Sequence, residues 1–144
     1  MVIRREVIEG RLKELAEILR ELARYQDVPY EQMQADLSQR WIIERGLIAA
    51  ASIVFDVADH ILAGHLDIYA DSYEGSLRAL CDEHVISEQL YQQMRGLGGL
   101  RNILIHRYLR IDPRQVFESF HQGLQVFPRF AQEILAWLDT VEQE

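Results

Sequence analysis

Apolar residues in this chain recur at intervals of three and four, segment after segment, and nowhere do they alternate convincingly with a period of two. A helix brings every third or fourth side chain to one face, whereas a strand brings every second. The pattern therefore commits the chain to helices. Val7, Ile8, Leu12, Leu15, Ile18, Leu19 and Leu22 make the first stripe and predict a helix from about Ile3 to Arg24. Asp27-Val28-Pro29 ends it, because the proline ring pushes Val28 out of the α region. A second, long helix is predicted from Tyr30 or Glu31 to Leu62 or Ala63, kinked near Leu37-Ser38 or Gly46 and stopped by Gly64. Its middle, Ala49-Ala50-Ala51-Ser52, is small on all sides and lets another helix come close.

After a loop over His65 to Asp71, Ser72 is placed to cap a short third helix, Tyr73 to Glu83. Ser87 is placed to cap a fourth, which crosses Gly96-Leu97-Gly98-Gly99 before reaching Arg101. Each glycine inside a helix costs about 1 kcal/mol relative to alanine, so this run marks a close approach of another backbone or a bend. Asp112 with Pro113 in the first turn starts the last helix, which extends to about Val141 with a kink expected at Pro128. The fold expected is a single all-α domain over residues 1–144, an antiparallel bundle of four to five helices.

A chain of 144 residues with 49% hydrophobic and 26% charged residues has enough apolar material for a real core. No uninterrupted apolar run reaches the roughly 18 residues of a membrane span, and Met1-Val2-Ile3-Arg4-Arg5-Glu6 does not read as a signal peptide. The single cysteine, Cys81, excludes an internal disulfide and reads as a half-buried packing residue rather than a nucleophile, with the cytoplasm as the default compartment. The net charge of −8 argues against broad, non-specific nucleic-acid binding, which depends on neutralising many phosphates. The charge is uneven, however. Arg95, Arg101, Arg107, Arg110 and Arg114 are opposed between positions 95 and 114 only by Asp112. This stretch is either a solvated arginine-rich helix face or a surface turned toward phosphate.

Within that stretch lies the segment Arg101-Asn102-Ile103-Leu104-Ile105-His106-Arg107-Tyr108. Residues seven apart on a helix lie within ~20° of each other, so Arg101 and Tyr108 share a stripe. Residues four apart are neighbours, so Asn102 and His106 share the adjacent one, leaving Ile103 and Leu104 better placed for the core. Cleaving RNA by transesterification requires removing a proton from the 2′-hydroxyl, stabilising charge on the phosphate and protonating the leaving 5′-oxygen. A histidine moves protons near neutral pH, and an arginine holds two phosphate oxygens in a fixed fork. Asn102 has the chemistry to orient His106 or donate to phosphate, and Tyr108 to bond phosphate or stack on a base. No metal or cofactor is required by this set. One chain supplies one such histidine for two proton transfers, which gives a reason to expect a two-fold dimer. A histidine satisfied at an interface remains the commoner fate of such a residue. The alternative is a non-catalytic helical dimer that binds a nucleotidyltransferase or a nucleotide.

Other polar residues carry weaker signals. Glu44, Arg45 and Asp56 within an apolar helix read as members of intrahelical or interhelical pairs, with a supporting role at the cleft as the sharper reading. His60 and His65 with Asp59 and Asp67 lack the spacing of a strong metal site. His84 and His121 read as surface or interface residues, and Trp41 and Trp137 as core or dimer packing.

The order Arg101-Asn102, three residues, His106, one residue, Tyr108 resembles the signature of the HEPN superfamily. Its HepT-like branch is resembled further by Glu44-Arg45 followed by Ala49 to Asp56 and Asp59-His60-Ile61. Ser72-Tyr73 before a short helix, Met94 with Gly99-Leu100 before Arg101, and Asp112 four residues after Tyr108 extend the likeness over roughly Arg4 to Leu138. The resemblance implies an all-α dimer with Arg101 and His106 of both subunits lining a cleft. It implies a metal-independent endoribonuclease toxin, for which transfer RNA is a plausible substrate. It also implies an antitoxin partner, a minimal nucleotidyltransferase (MNT), that can transfer AMP to Tyr108; whether the homodimer joins it in a larger hetero-oligomer is left open. This chain lacks the Gly-Ser and paired-Asp pattern of a nucleotidyltransferase and would be the modified party.

Overall fold

The computed structural model describes residues 4–106 and 112–141, among which there are helices and no strand. The helices are α1 (Arg5–Ala23), α2 (Tyr30–Ala35), α3 (Leu37–His65), α4 (Tyr73–Asp82), α5 (Glu88–Met94), α6 (Leu97–His106) and α7 (Pro113–Leu138). The chain is all-α, as its periodicity predicts, but two of the predicted helices are each divided in two.

The first division is at Asp36. Its backbone is extended (φ −111°, ψ 100°), which ends α2, and its carboxylate accepts the Gln39 N–H at 3.1 Å, which caps α3. An aspartate whose side chain can bond a backbone donor nearby competes with helix continuation, and here that competition wins. α3 then passes Gly46 without the kink expected there and ends at His65, one residue beyond the stop expected at Gly64. Gly46 serves instead as a contact point, since a methyl there would collide with Leu22 of α1.

The second division lies in the glycine run. Gly96 has φ +87°, a left-handed conformation that glycine adopts without a Cβ penalty, so α5 ends before it and α6 begins afresh at Leu97. Gly98 lies directly against Tyr73 of α4, where a methyl would collide with the tyrosine Cβ. The run thus combines a change of direction with a close approach. Ser72 accepts the Gly75 N–H at 2.9 Å, Ser87 the Leu90 N–H at 3.1 Å and Asp112 the Arg114 N–H at 3.0 Å, so these three caps stand where the sequence puts them. α7 continues unbroken through Pro128 and ends at Leu138.

α3 is the centre of the bundle and touches α1, α2, α4, α6 and α7. Ile43, Leu47, Ala50, Val54, Ala58 and Ile61 are all buried along it, and each large aliphatic side chain so placed stabilises the fold by roughly 1.5–3 kcal/mol. Arg5 at the start of α1 reaches Asp139 just past the end of α7 at 2.7 Å, and Gln26 beyond the end of α1 meets His121 near the start of α7. Those two helices therefore run antiparallel. By length and composition α3 is apolar enough to cross a membrane, with a mean hydropathy of 1.7 over its best window, although Asp56 and Asp59 interrupt its apolar run. More than half of that window, 56%, is buried against the chain's own helices, as the middle of a helical bundle requires.

Candidate active site around Arg101

α6 lies on α3 through Leu100 and Leu104, one turn apart and both buried. Ile103, expected to share the core face, is half-buried, Ile105 is exposed, and Asn102 is exposed on the opposite side of the helix from the core contacts. His106 is the last residue of α6, four positions after Asn102 and thus on the same stripe. The His106 side chain, Arg107, Tyr108 and Arg110 lie outside the described residues.

Arg101 is held by two other helices. Its Nε–H donates to Ser52 Oγ of α3 at 2.9 Å, and its Nη1–H donates to Tyr73 Oη of α4 at 3.0 Å. Its Cζ stands 5.3 Å from the centroid of the Tyr73 ring. Tyr73 is fixed in turn, with its ring 4.4 Å from that of Phe55 and its Cβ against Gly98. Both partners of Arg101 are neutral hydroxyls, and none of the ion pairs among the described residues includes it.

This distinguishes Arg101 from its neighbours in the cationic stretch. Arg95 pairs with Glu74 at 3.6 Å, and the Arg114 guanidinium lies over Tyr30 with Cζ 3.8 Å from the ring centroid. Beside Arg101, an open groove of about 510 Å³ runs between α4 and α6. Asn102, Gly98 and Gly99 form part of it, facing Asp59, Glu74 and Ser76. The Ser76 hydroxyl lies 3.3 Å from Asp59 Oδ1, within hydrogen-bond distance of the carboxylate.

The remaining sequence candidates separate. Glu44 is buried, at 7% exposure; burial pushes its carboxyl above the usual carboxylate range, and Arg40 one turn earlier pulls it partly back. Arg45 and Asp56 are exposed, and among the described residues none of the three forms the ion pair expected of it. Their helix faces diverge, one inward and two outward, so they do not converge on each other. His65 packs edge-on against Trp137 with centroids 5.5 Å apart, while Asp59 opens to the groove. Among the described residues no three His, Cys, Asp or Glu side chains converge in a metal-binding group.

Cys81 is half-buried, as expected. Its thiol donates to Glu88 Oε2 at 3.0 Å, and that bond, with burial adding to it, pushes the thiol up to about 11. A thiol held protonated is a poor nucleophile. His84 is exposed with φ +60°. His121 is more than a surface residue: its Nδ1 lies 2.9 Å from the Phe117 carbonyl and its Nε2 3.0 Å from the Gln26 carbonyl, tying α7 to the turn after α1. Trp137 packs against the core, whereas Trp41 is 54% exposed and stands outside it, near the exposed Leu37 and Ile42.

Sequence reasoning missed Ser52 and Tyr73 as partners of Arg101. In the sequence Ser52 stands as a small side chain after Ala49-Ala50-Ala51, and Tyr73 as a helix start and part of the family likeness, neither marked as a partner of Arg101. The available signal was a hydroxyl inside a run of alanines, a polar group that needs a partner if another helix covers it.

Comparison with known proteins places these features in context. Residues 13–134 match the family model described as Ribonuclease HepT-like. The chain is 29% identical over 138 residues to the tRNA nuclease HepT of Aphanizomenon flos-aquae, covering 96% of this chain and 94% of that protein. Its fold superposes on the tri-AMPylated HEPN toxin of Shewanella oneidensis, solved in complex with its MNT antitoxin, with a TM-score of 0.82 and 20% identity over 92% of this chain and 99% of the other. It also superposes on the cytosolic protein YutE of Bacillus subtilis, with a TM-score of 0.81 and 20% identity over 97% and 94% of the two chains.

Proposed function

This chain belongs to the HepT-like ribonuclease family, and we propose that it cleaves RNA by metal-independent transesterification with Arg101 and His106 as its catalytic residues. The observation that carries the reading is the state of Arg101: a guanidinium oriented by two hydroxyls and left without a carboxylate partner among the described residues. A carboxylate would cancel its charge, whereas hydroxyls fix its direction and leave the charge for a phosphate. In that role Arg101 binds the non-bridging oxygens and stabilises the negative charge that grows on them in the transition state. His106 transfers protons to or from the ribose oxygens, and Asn102, exposed on the same stripe, supports His106 or the phosphate.

Two proton transfers and one motif histidine per chain lead us to place the working site between two copies, with one His106 as base and the other as acid. The apolar side chains left exposed on α3 and α6, Leu37, Ile42 and Ile105, are the kind of surface such a pairing covers. The substrate we propose is transfer RNA, the substrate named for the Aphanizomenon relative. The AMPylated Shewanella toxin and its MNT antitoxin suggest the same control here, with AMP transferred to Tyr108. An anionic adduct beside Arg101 would occupy the phosphate position and repel RNA. The setting proposed is cytoplasmic.

The test is incubation of purified, unmodified protein with bulk tRNA in EDTA, followed by mapping of new ends. Cleavage is expected, and Arg101→Ala or His106→Ala should reduce its rate on the order of a hundredfold or more without unfolding the protein. Undiminished cleavage by either variant, or no cleavage by the unmodified parent while it still binds a nucleotidyltransferase, would sink the catalytic reading. For control by AMP, mass spectrometry of the co-expressed protein is expected to show the adduct on Tyr108; an unmodified tyrosine in a neutralised complex would refute it.

A further inference from the structure

We infer that Ser52 and Tyr73 are positioning residues for Arg101, forming a clamp that presents one edge of its guanidinium to the scissile phosphate. The inference rests on the reading of Arg101 as the phosphate-holding group. A guanidinium has five N–H donors in a rigid plane. Ser52 takes the one on Nε and Tyr73 takes one on Nη1, which leaves both donors of Nη2 and the second of Nη1 for a phosphate. Two hydrogen bonds on different atoms of a planar group fix both its position and its rotation. The Tyr73 ring near Cζ restrains it from the side. An arginine side chain is otherwise among the most mobile, and ordering it during the reaction would cost rate.

The clamp is assembled from three helices, two of which, α4 and α6, meet in an unusually close contact. Ser52 follows the small residues Ala49, Ala50 and Ala51 on α3. Tyr73 stands at the first turn of α4, just after the Ser72 cap, and rests on Phe55. Gly98, one turn before Arg101, admits Tyr73 at a distance no other residue type would allow. The groove between α4 and α6 shares Tyr73 and Gly98 with this corner.

Tyr73→Phe keeps the ring against Phe55 and Gly98 and removes only the hydroxyl; Ser52→Ala does the same for the second contact. With bulk tRNA as the probe, each is expected to lower kcat about tenfold while KM changes by less than about twofold. In an Arg101→Lys background, which has no fork to clamp, either change should add less than about twofold. Nitrogen-15 NMR of the arginine Nε–H supplies a readout independent of catalysis: slow solvent exchange in the parent and fast exchange in Ser52→Ala. Full activity of both variants beside an inactive Arg101→Ala would overturn the clamp and leave the ribonuclease reading standing. A loss of kcat matched by an equal loss of folded protein would overturn it too, since the role would then be merely structural. If Arg101→Ala cleaves like the parent, or the parent does not cleave, the ribonuclease reading falls. Exchange then decides the clamp alone: a difference between parent and Ser52→Ala supports it, and equal rates overturn it.

Discussion

The carboxylate of Glu133 receives both the backbone N–H and the hydroxyl of Ser87, at 2.6 and 3.0 Å, so a side chain of α7 closes the N-terminus of α5. Ser87 at the same time accepts the Leu90 N–H, which makes it a link between the cap and the neighbouring helix. Glu133→Ala removes both of these charge-assisted contacts and the 3.4 Å pairing with Arg129, and should destabilise the protein by about 1–2 kcal/mol. Urea denaturation reads the change, and an unaltered midpoint would show that water replaces the carboxylate without loss.

Gly98 and Gly99 are adjacent in α6 and should respond in opposite ways to alanine. The methyl of Gly98→Ala would strike Tyr73, so a loss of roughly 1–3 kcal/mol is expected, together with reduced RNA cleavage because the tyrosine must move. Nothing lies within 4 Å of a methyl at Gly99, so Gly99→Ala should gain up to about 1 kcal/mol from helix propensity. Thermal melts of the two variants decide it, and equal effects would contradict the contact.

Burial holds Glu44 above the ordinary carboxylate range, so the folded state takes up its proton more readily than the unfolded chain. The native state is therefore favoured while this carboxyl is protonated, and that advantage is lost as pH rises through its raised value. Glu44→Gln should be more stable than the parent near neutral pH, with the difference closing as pH falls below the ordinary value of 4.5. Denaturation at pH 7 and pH 4 compares them; a gap that widens on acidification would refute the assignment.

The Cys81 thiol, pushed up to about 11 chiefly by its bond to Glu88, should alkylate slowly with iodoacetamide at pH 8. Glu88→Gln replaces the anion that holds the proton and should raise the rate on the order of tenfold. An unchanged rate would mean that burial, not the carboxylate, protects the sulfur.

What could be read from the sequence follows from how local each signal is. Ser72, Ser87 and Asp112-Pro113 mark helix starts because a cap bonds an N–H two or three residues on, and nothing distant can cancel it. The sequence marks the neighbourhoods of the two divisions, a kink near Leu37-Ser38 and a bend or close approach in the Gly96 to Gly99 run, but not that a helix ends at each, since an aspartate or a glycine inside a helical pattern fits an interior position as well, and the surrounding packing chooses. Arg101, Asn102, His106 and Tyr108 were legible as a motif. The partners of Arg101 were not, because Ser52 lies 49 positions away and Tyr73 lies 28 away, separations over which residue spacing carries no message.

The left-handed joint at Gly96 uncouples the rotational phase of α6 from that of α5. An extra residue placed at that joint could be taken up as slack, with the later helix undisturbed. An extra residue between Gly98 and Arg101 would turn the guanidinium by about 100° about the helix axis, away from Ser52. Length variation should therefore be tolerated upstream of the joint and excluded from the short arm that follows it.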